Sequence, residues 1–156
     1  MEPGILLKVA HIGTMFMAVG VAVGTELMGH RVANSGDVRA IRTYFAQARP
    51  IMNLIPVLYV SGLLLGLAAG ALGAFNLLAP WLLLAYGLFF LTFLLHQLVG
   101  GPWFRRMTRL SAELPDGLRS AELDAAIHDR AASWLFWYTI AMIIGFVFIM
   151  VVKPLS

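Results

Sequence analysis

Residues 51–99 read IMNLIPVLYVSGLLLGLAAGALGAFNLLAPWLLLAYGLFFLTFLLHQLV, a stretch without a single Asp, Glu, Lys or Arg. Crossing about 30 Å of hydrocarbon takes about 20 mostly apolar residues at about 1.5 Å each. The stretch meets that requirement twice, over residues 51–72 and 80–99, with Gly73, Ala74, Phe75 and Asn76 as a short uncharged connection. Two spans joined so closely form an antiparallel hairpin. Pro80 suits the start of the second, because its missing N–H would have no helical partner there.

Working outward, residues 5–29 and 132–152 supply two further apolar runs of spanning length. The expected fold is therefore all-α: a single integral membrane domain over residues 1–156, built as an up-down antiparallel four-helix transmembrane bundle. Trp81, Trp103, Trp134 and Trp137 fall at span ends, where indoles favour the interface. Across the 156 residues, 60% are apolar and 12% charged, against about 45–50% and about 25% in soluble domains. An ordinary soluble enzyme is excluded on that ground. The chain has no Cys, which removes disulfide scaffolds, thiolate catalysis, iron–sulfur centres and CxxCH haem attachment.

The net charge of +3 reads as a topology signal, not as a nucleic-acid footprint, because the arginines adjoin apolar runs. Arg31, Arg39, Arg42 and Arg49 lie in the first long connection, and Arg105, Arg106, Arg109, Arg119 and Arg130 in the second. Four spans place both connections on one face, and the Arg excess makes that face cytoplasmic, with both termini outside a cell (inner) membrane. Met1-Glu2-Pro3-Gly4 lacks a basic n-region, so the first span is expected to stay in the protein. Asn34-Ser35-Gly36-Asp37 offers capping residues, and Val38, Ile41, Tyr44, Phe45 and Ala48 then recur at helical spacing. That pattern predicts a short amphipathic interfacial helix stopped by Pro50. Leu114-Pro115-Asp116-Gly117 breaks the second connection into two arms that extend the flanking spans.

Gly62, Gly66 and Gly70 recur every fourth residue, as do Gly20 and Gly24. Small residues let helix backbones approach in lipid, so these ridges are expected to face one another or a second copy in a homodimer. Ionisable groups in hydrocarbon cost about 2.5–3.5 kcal/mol, which makes each a functional candidate. At about 1.5 Å per residue, His11 and His96 lie about 15 Å apart along the membrane normal, too far to share a metal. Glu26 and His30 share a helix face, and His96 and Asn53 arrive at similar depth. This group reads either as a proton relay or metal site, or as a polar plug with Glu26 neutralised by Arg31 or Arg49. No metal is assigned. On the outer half, His11 is a candidate axial ligand of haem b, with Tyr86, Met142 and Met150 as candidate partners at its depth.

Lys8-Val9-Ala10-His11-Ile12-Gly13, Ser61-Gly62-Leu63, Arg105-Arg106-Met107 and Met150-Val151-Val152-Lys153-Pro154 together resemble the DUF2269-type predicted integral membrane proteins. The layout is also similar to the HemJ-like and copper-resistance D-like four-helix membrane proteins. The first likeness implies no activity. The HemJ-like one implies haem b, protoporphyrinogen oxidation and a first-span histidine matching His11, and the copper-resistance one implies metal handling. The preferred expectation is a b-type haem-associated or redox protein, passing electrons from quinol, with a quinone or another membrane protein as partner; the alternatives are a small proton-coupled transporter using Glu26, His96 and Asn53, and a non-catalytic accessory or scaffold protein.

Overall fold

A computed structural model describes residues 2–154. Its helices are α1 (Pro3–Ala33), α2 (Val38–Leu72), α3 (Pro80–Leu95), α4 (Gly101–Glu113), α5 (Ala121–Ile127) and α6 (Arg130–Val152), with a π turn over His96–Gly100 between α3 and α4. The described residues contain no strand. Four stretches are long and apolar enough to cross a membrane: Pro3–Ala33, Val38–Leu72, Pro80–Glu113 and Ala121–Val152. Their outward faces carry large apolar side chains that water would not tolerate in such density; Phe16 is 81% and Val151 75% exposed. The chain is a multi-pass membrane protein.

Side-chain caps set several helix starts. Asp37 accepts from the N–H groups of Arg39 and Ala40, Ser120 from that of Leu123, and Asp129 from those of Ala131 and Ala132. The Pro50 stop does not occur. Helix α2 runs unbroken through Pro50 and Pro56, so the amphipathic segment after Asp37 is the first part of a long helix. A proline removes its own N–H bond and crowds the carbonyl four residues back, a cost of about 3 kcal/mol that packing elsewhere can offset; for Pro50 that carbonyl belongs to Ala46, which is exposed. Nor is the apolar face spread on lipid. Val38, Ile41, Phe45 and Ala48 are buried in one cluster with Ala33, Phe104, Met107, Leu123, Ala126 and Ile127.

That cluster is the close-packed core, and it sits at the loop end of the molecule, beyond the most apolar stretches. Water is nearby there, so burial of apolar faces drives collapse; between helices already in lipid that drive is small. Arg42 ties the core together. Its Nε donates to the Ser111 carbonyl at 2.9 Å, one terminal nitrogen pairs with Asp116 at 2.9 Å, and the other donates to the Leu114 carbonyl. These are the orphan carbonyls at the C-terminus of α4. Trp103 is drawn into the same region, with its indole N–H donating to the Ala126 carbonyl at 2.8 Å.

Helix α1 lies along α2, and α3 lies against α6. Gly62 and Gly66 meet Met15 and His11, whereas Tyr44 meets Gly29 and donates to the Thr25 carbonyl at 2.5 Å. Only part of the glycine expectation holds within the chain. Gly62 and Gly66 do receive α1, and Gly70 meets Leu77, but Gly20 and Gly24 have no neighbour within 4 Å of a built Cβ. The two glycine ridges do not face each other, because α1 turns Met15 and His11 toward α2 instead.

Candidate proton site and central cavity

Between the α1–α2 pair and the α3–α6 pair lies a cavity of about 1440 Å³. Close-packed interiors leave few voids larger than a water molecule, and pockets for small molecules run to about 300–1,000 Å³. The cavity extends from Lys8, Trp81 and Lys153 at the hairpin end to Arg49, Arg105 and Arg109 at the loop end. Glu26, His30, Asn53 and His96 all line it, and so do His11, Tyr86, Met142 and Met150.

The side chain of His96 is aimed by an irregularity in its own helix. Pro102 has no N–H, and in a regular helix its ring would collide with the carbonyl four residues back. The chain widens ahead of it into the π turn, where the Gly101 N–H donates to the His96 carbonyl. Such turns recur at functional sites.

His96 Nδ1 stands 2.9 Å from the Thr92 carbonyl. A carbonyl only accepts, so Nδ1 carries a proton. Nε2 lies 2.8 Å from Glu26 Oε1 and 3.2 Å from Thr139 Oγ1. The Thr139 hydroxyl donates its one hydrogen to the Leu135 carbonyl at 2.9 Å, so toward His96 it can only accept. A single proton is therefore shared between Oε1 and Nε2, and the pair is net neutral whichever atom holds it. Glu26 Oε2 is buried with no hydrogen-bond partner among the described residues.

The other members of the expected cluster stand aside from this pair. His30 stacks on Trp103 with centroids 5.0 Å apart and tilts against Phe136 at 5.4 Å. Asn53 lines the cavity but makes no side-chain hydrogen bond to the pair. Glu26 is not paired with Arg31 or Arg49; among the described residues its ionic partner is His96. Thr92 and Thr139 complete the site and were not singled out from sequence. A threonine in an apolar helix ordinarily bonds its own preceding turn, so only its spacing from a histidine, as for Thr92 four residues before His96, hinted at more.

His11 has a different environment. Its Nδ1–H donates to the Gly62 carbonyl at 2.7 Å, and a Cβ at Gly66 would stand 2.8 Å from the ring. In the neutral imidazole this bond selects the Nδ1–H tautomer, with the lone pair on Nε2, which is the arrangement a metal-binding imidazole needs. The donor set suits haem in this respect, with an imidazole held by a backbone carbonyl and phenol and thioether groups lining the same space. Among the described residues there is no group of three or more His, Asp or Glu able to hold a metal ion.

Comparison of the chain with protein-family models, with characterised proteins and with solved structures finds no match.

Proposed function

We propose that this is a small proton-handling membrane protein, in which Glu26 and His96 exchange a proton with a substrate occupying the central cavity. The observation that carries the reading is the Glu26–His96 contact with its partnerless second carboxylate oxygen, on the wall of a space large enough for a substrate. Structural plugs satisfy their polar atoms, whereas a carboxylate oxygen without a partner among the described residues is free to accept a hydrogen bond from a group in the cavity. Thr92 fixes the histidine tautomer, Thr139 offers a second acceptor for the Nε2 hydrogen, and the proton moves between Oε1 and Nε2.

The bundle is antiparallel, with the Arg-rich loops cytoplasmic and both termini external, and it resides in a cell (inner) membrane. The Arg distribution supports this orientation, and a reporter fused after Ser156 is expected to give an external signal. For the proton site, the test is infrared difference spectroscopy of the reconstituted protein across a pH titration. A protonated-carboxyl band that disappears in Glu26→Gln and shifts in His96→Ala is expected. Absence of any Glu26-dependent change from about pH 4 to about pH 9 overturns the reading.

A second reading is favoured by the His11–Gly62 bond. On it, His11 would hold a b-type haem through Nε2, Tyr86, Met142 or Met150 would be the candidates to assist it, and the group would supply one-electron redox chemistry. Protein from haem-replete cells is then expected to show a Soret band that His11→Ala abolishes. A colourless protein removes this reading and leaves the proton site untouched.

A further inference from the structure

The two ends of the cavity are both cationic, but their cations are differently engaged. At the hairpin end, Lys8 Nζ lies 4.9 Å from the Phe75 ring centroid and Lys153 Nζ lies 5.6 Å from that of Trp81. Each ammonium is thus held over an aromatic face, and the contacts fasten α1 to the hairpin connection and the end of α6 to the start of α3. At the loop end, Arg49, Arg105 and Arg109 line the cavity. None of the three has a carboxylate partner among the described residues.

Other arginines in the same region do find anions. Arg42 pairs with Asp116 and Arg119 with Asp124. The cavity wall at this end thus gathers three guanidinium groups, none with a carboxylate partner among the described residues. Between them and the hairpin end the wall turns apolar and aromatic, with Tyr59, Leu63, Phe89, Phe93, Ile143 and Phe146. From Lys8 to His30 the cavity follows α1 for about 33 Å at about 1.5 Å per residue.

We infer that the cavity binds an anionic amphiphile, its phosphate or carboxylate head held by Arg49, Arg105 and Arg109 at the loop end and its apolar chain lying between α2 and α3 toward Glu26 and His96. Guanidinium groups match such heads in geometry as well as charge. The apolar wall supplies chain burial, and the hairpin end offers two single ammonium groups, each drawn over an aromatic ring, in place of a cluster of guanidinium forks. The inference names a ligand class for the cavity on which the proton-handling reading rests. Binding is measured here without any proton movement, so failure of one does not imply failure of the other.

The experiment is calorimetric titration of the full-length protein, in phosphatidylcholine nanodiscs, with dodecyl phosphate, dodecanol and inorganic phosphate. Saturable binding near one equivalent is expected for dodecyl phosphate, and much weaker binding for the other two. The variant Arg105→Gln/Arg109→Gln is expected to lose about tenfold or more in affinity. Arg39→Gln, an arginine off the cavity wall, is expected to lose nothing. Leu63→Trp, which narrows the chain path, is expected to weaken dodecyl phosphate without altering the response to inorganic phosphate. Phosphatidylglycerol in the nanodisc tells the natural sources apart: competition marks a bilayer phospholipid as occupant, and its lack marks a free amphiphile, either result agreeing with the inference. Unsaturable uptake, an equal loss in Arg39→Gln, or equal binding of dodecanol overturns it.

Discussion

Glu26 and His96 are 70 residues apart in the chain and 2.8 Å apart in the fold, joined Oε1 to Nε2 across two different spans. Their side chains are only 18% and 26% exposed, so each is the other's principal solvation. His96→Ala would strand a buried carboxylate, with a loss on the order of 3 kcal/mol. Glu26→Gln keeps a hydrogen-bonding group of the same shape and is expected to cost clearly less. Thermal unfolding of the two variants in one detergent checks the order. Equal midpoints would show that the contact contributes little to the fold.

Arg42 makes three contacts with the end of α4 and the turn that follows. Arg42→Ala is expected to destabilise by about 2–3 kcal/mol, since two backbone carbonyls lose a charged donor. A lysine cannot span all three acceptors, so Arg42→Lys should recover less than half of that. Asp116 is 59% exposed, and Asp116→Ala is expected to cost less than about 1 kcal/mol. Chemical denaturation, with the three variants compared side by side, is the measurement.

The glycines of the first two spans should respond in opposite ways. Gly66→Ala places a methyl 2.8 Å from the His11 ring, which must move and give up its bond to the Gly62 carbonyl, at a cost of about 1–2 kcal/mol. Gly20→Ala and Gly24→Ala meet open space within the chain and are expected to stay within about 0.5 kcal/mol of the parent. Unfolding midpoints decide, and if haem is present its spectrum should change only in Gly66→Ala.

Gly36 and Gly117 both adopt positive φ, at +75° and +80°, but only Gly36 has a neighbour in the way, Arg119 at 2.7 Å from a built Cβ. Alanine at either position pays about 1–2 kcal/mol for the left-handed backbone. Gly36→Ala must also displace Arg119, the partner of Asp124. It should therefore lower the unfolding midpoint further than Gly117→Ala, and an equal effect would show that Arg119 moves at no cost.

Much of the architecture was legible because its signals are local. The spans follow from apolar runs, the helix start at Val38 from the capping residues that end in Asp37, and the break after α4 from Leu114-Pro115-Asp116-Gly117. Pro50 does not stop the helix because its lost hydrogen bond and ring crowding are a finite cost, and packing of Phe45 and Ala48 in the core holds the helix through it. At the site, similar depth brought Glu26, His30, Asn53 and His96 under one heading. Depth says nothing of rotation, and rotation separates the bonded pair from stacked His30 and unbonded Asn53.

By itself, then, the sequence determined that lipid is the solvent, that four stretches can cross it, and that the few ionisable residues among them are where chemistry would reside. These depend on hydropathy and length, which are properties of consecutive residues. Only the tertiary structure decided that Glu26 meets His96 and not an arginine, that His11 turns to Gly62, and that close packing gathers at the loop end while a cavity stays open between the spans. Those outcomes depend on how each helix is rotated about its axis. A π turn ahead of Pro102 and the seating of Met15 and His11 on α2 set that rotation, through contacts between residues far apart in the chain.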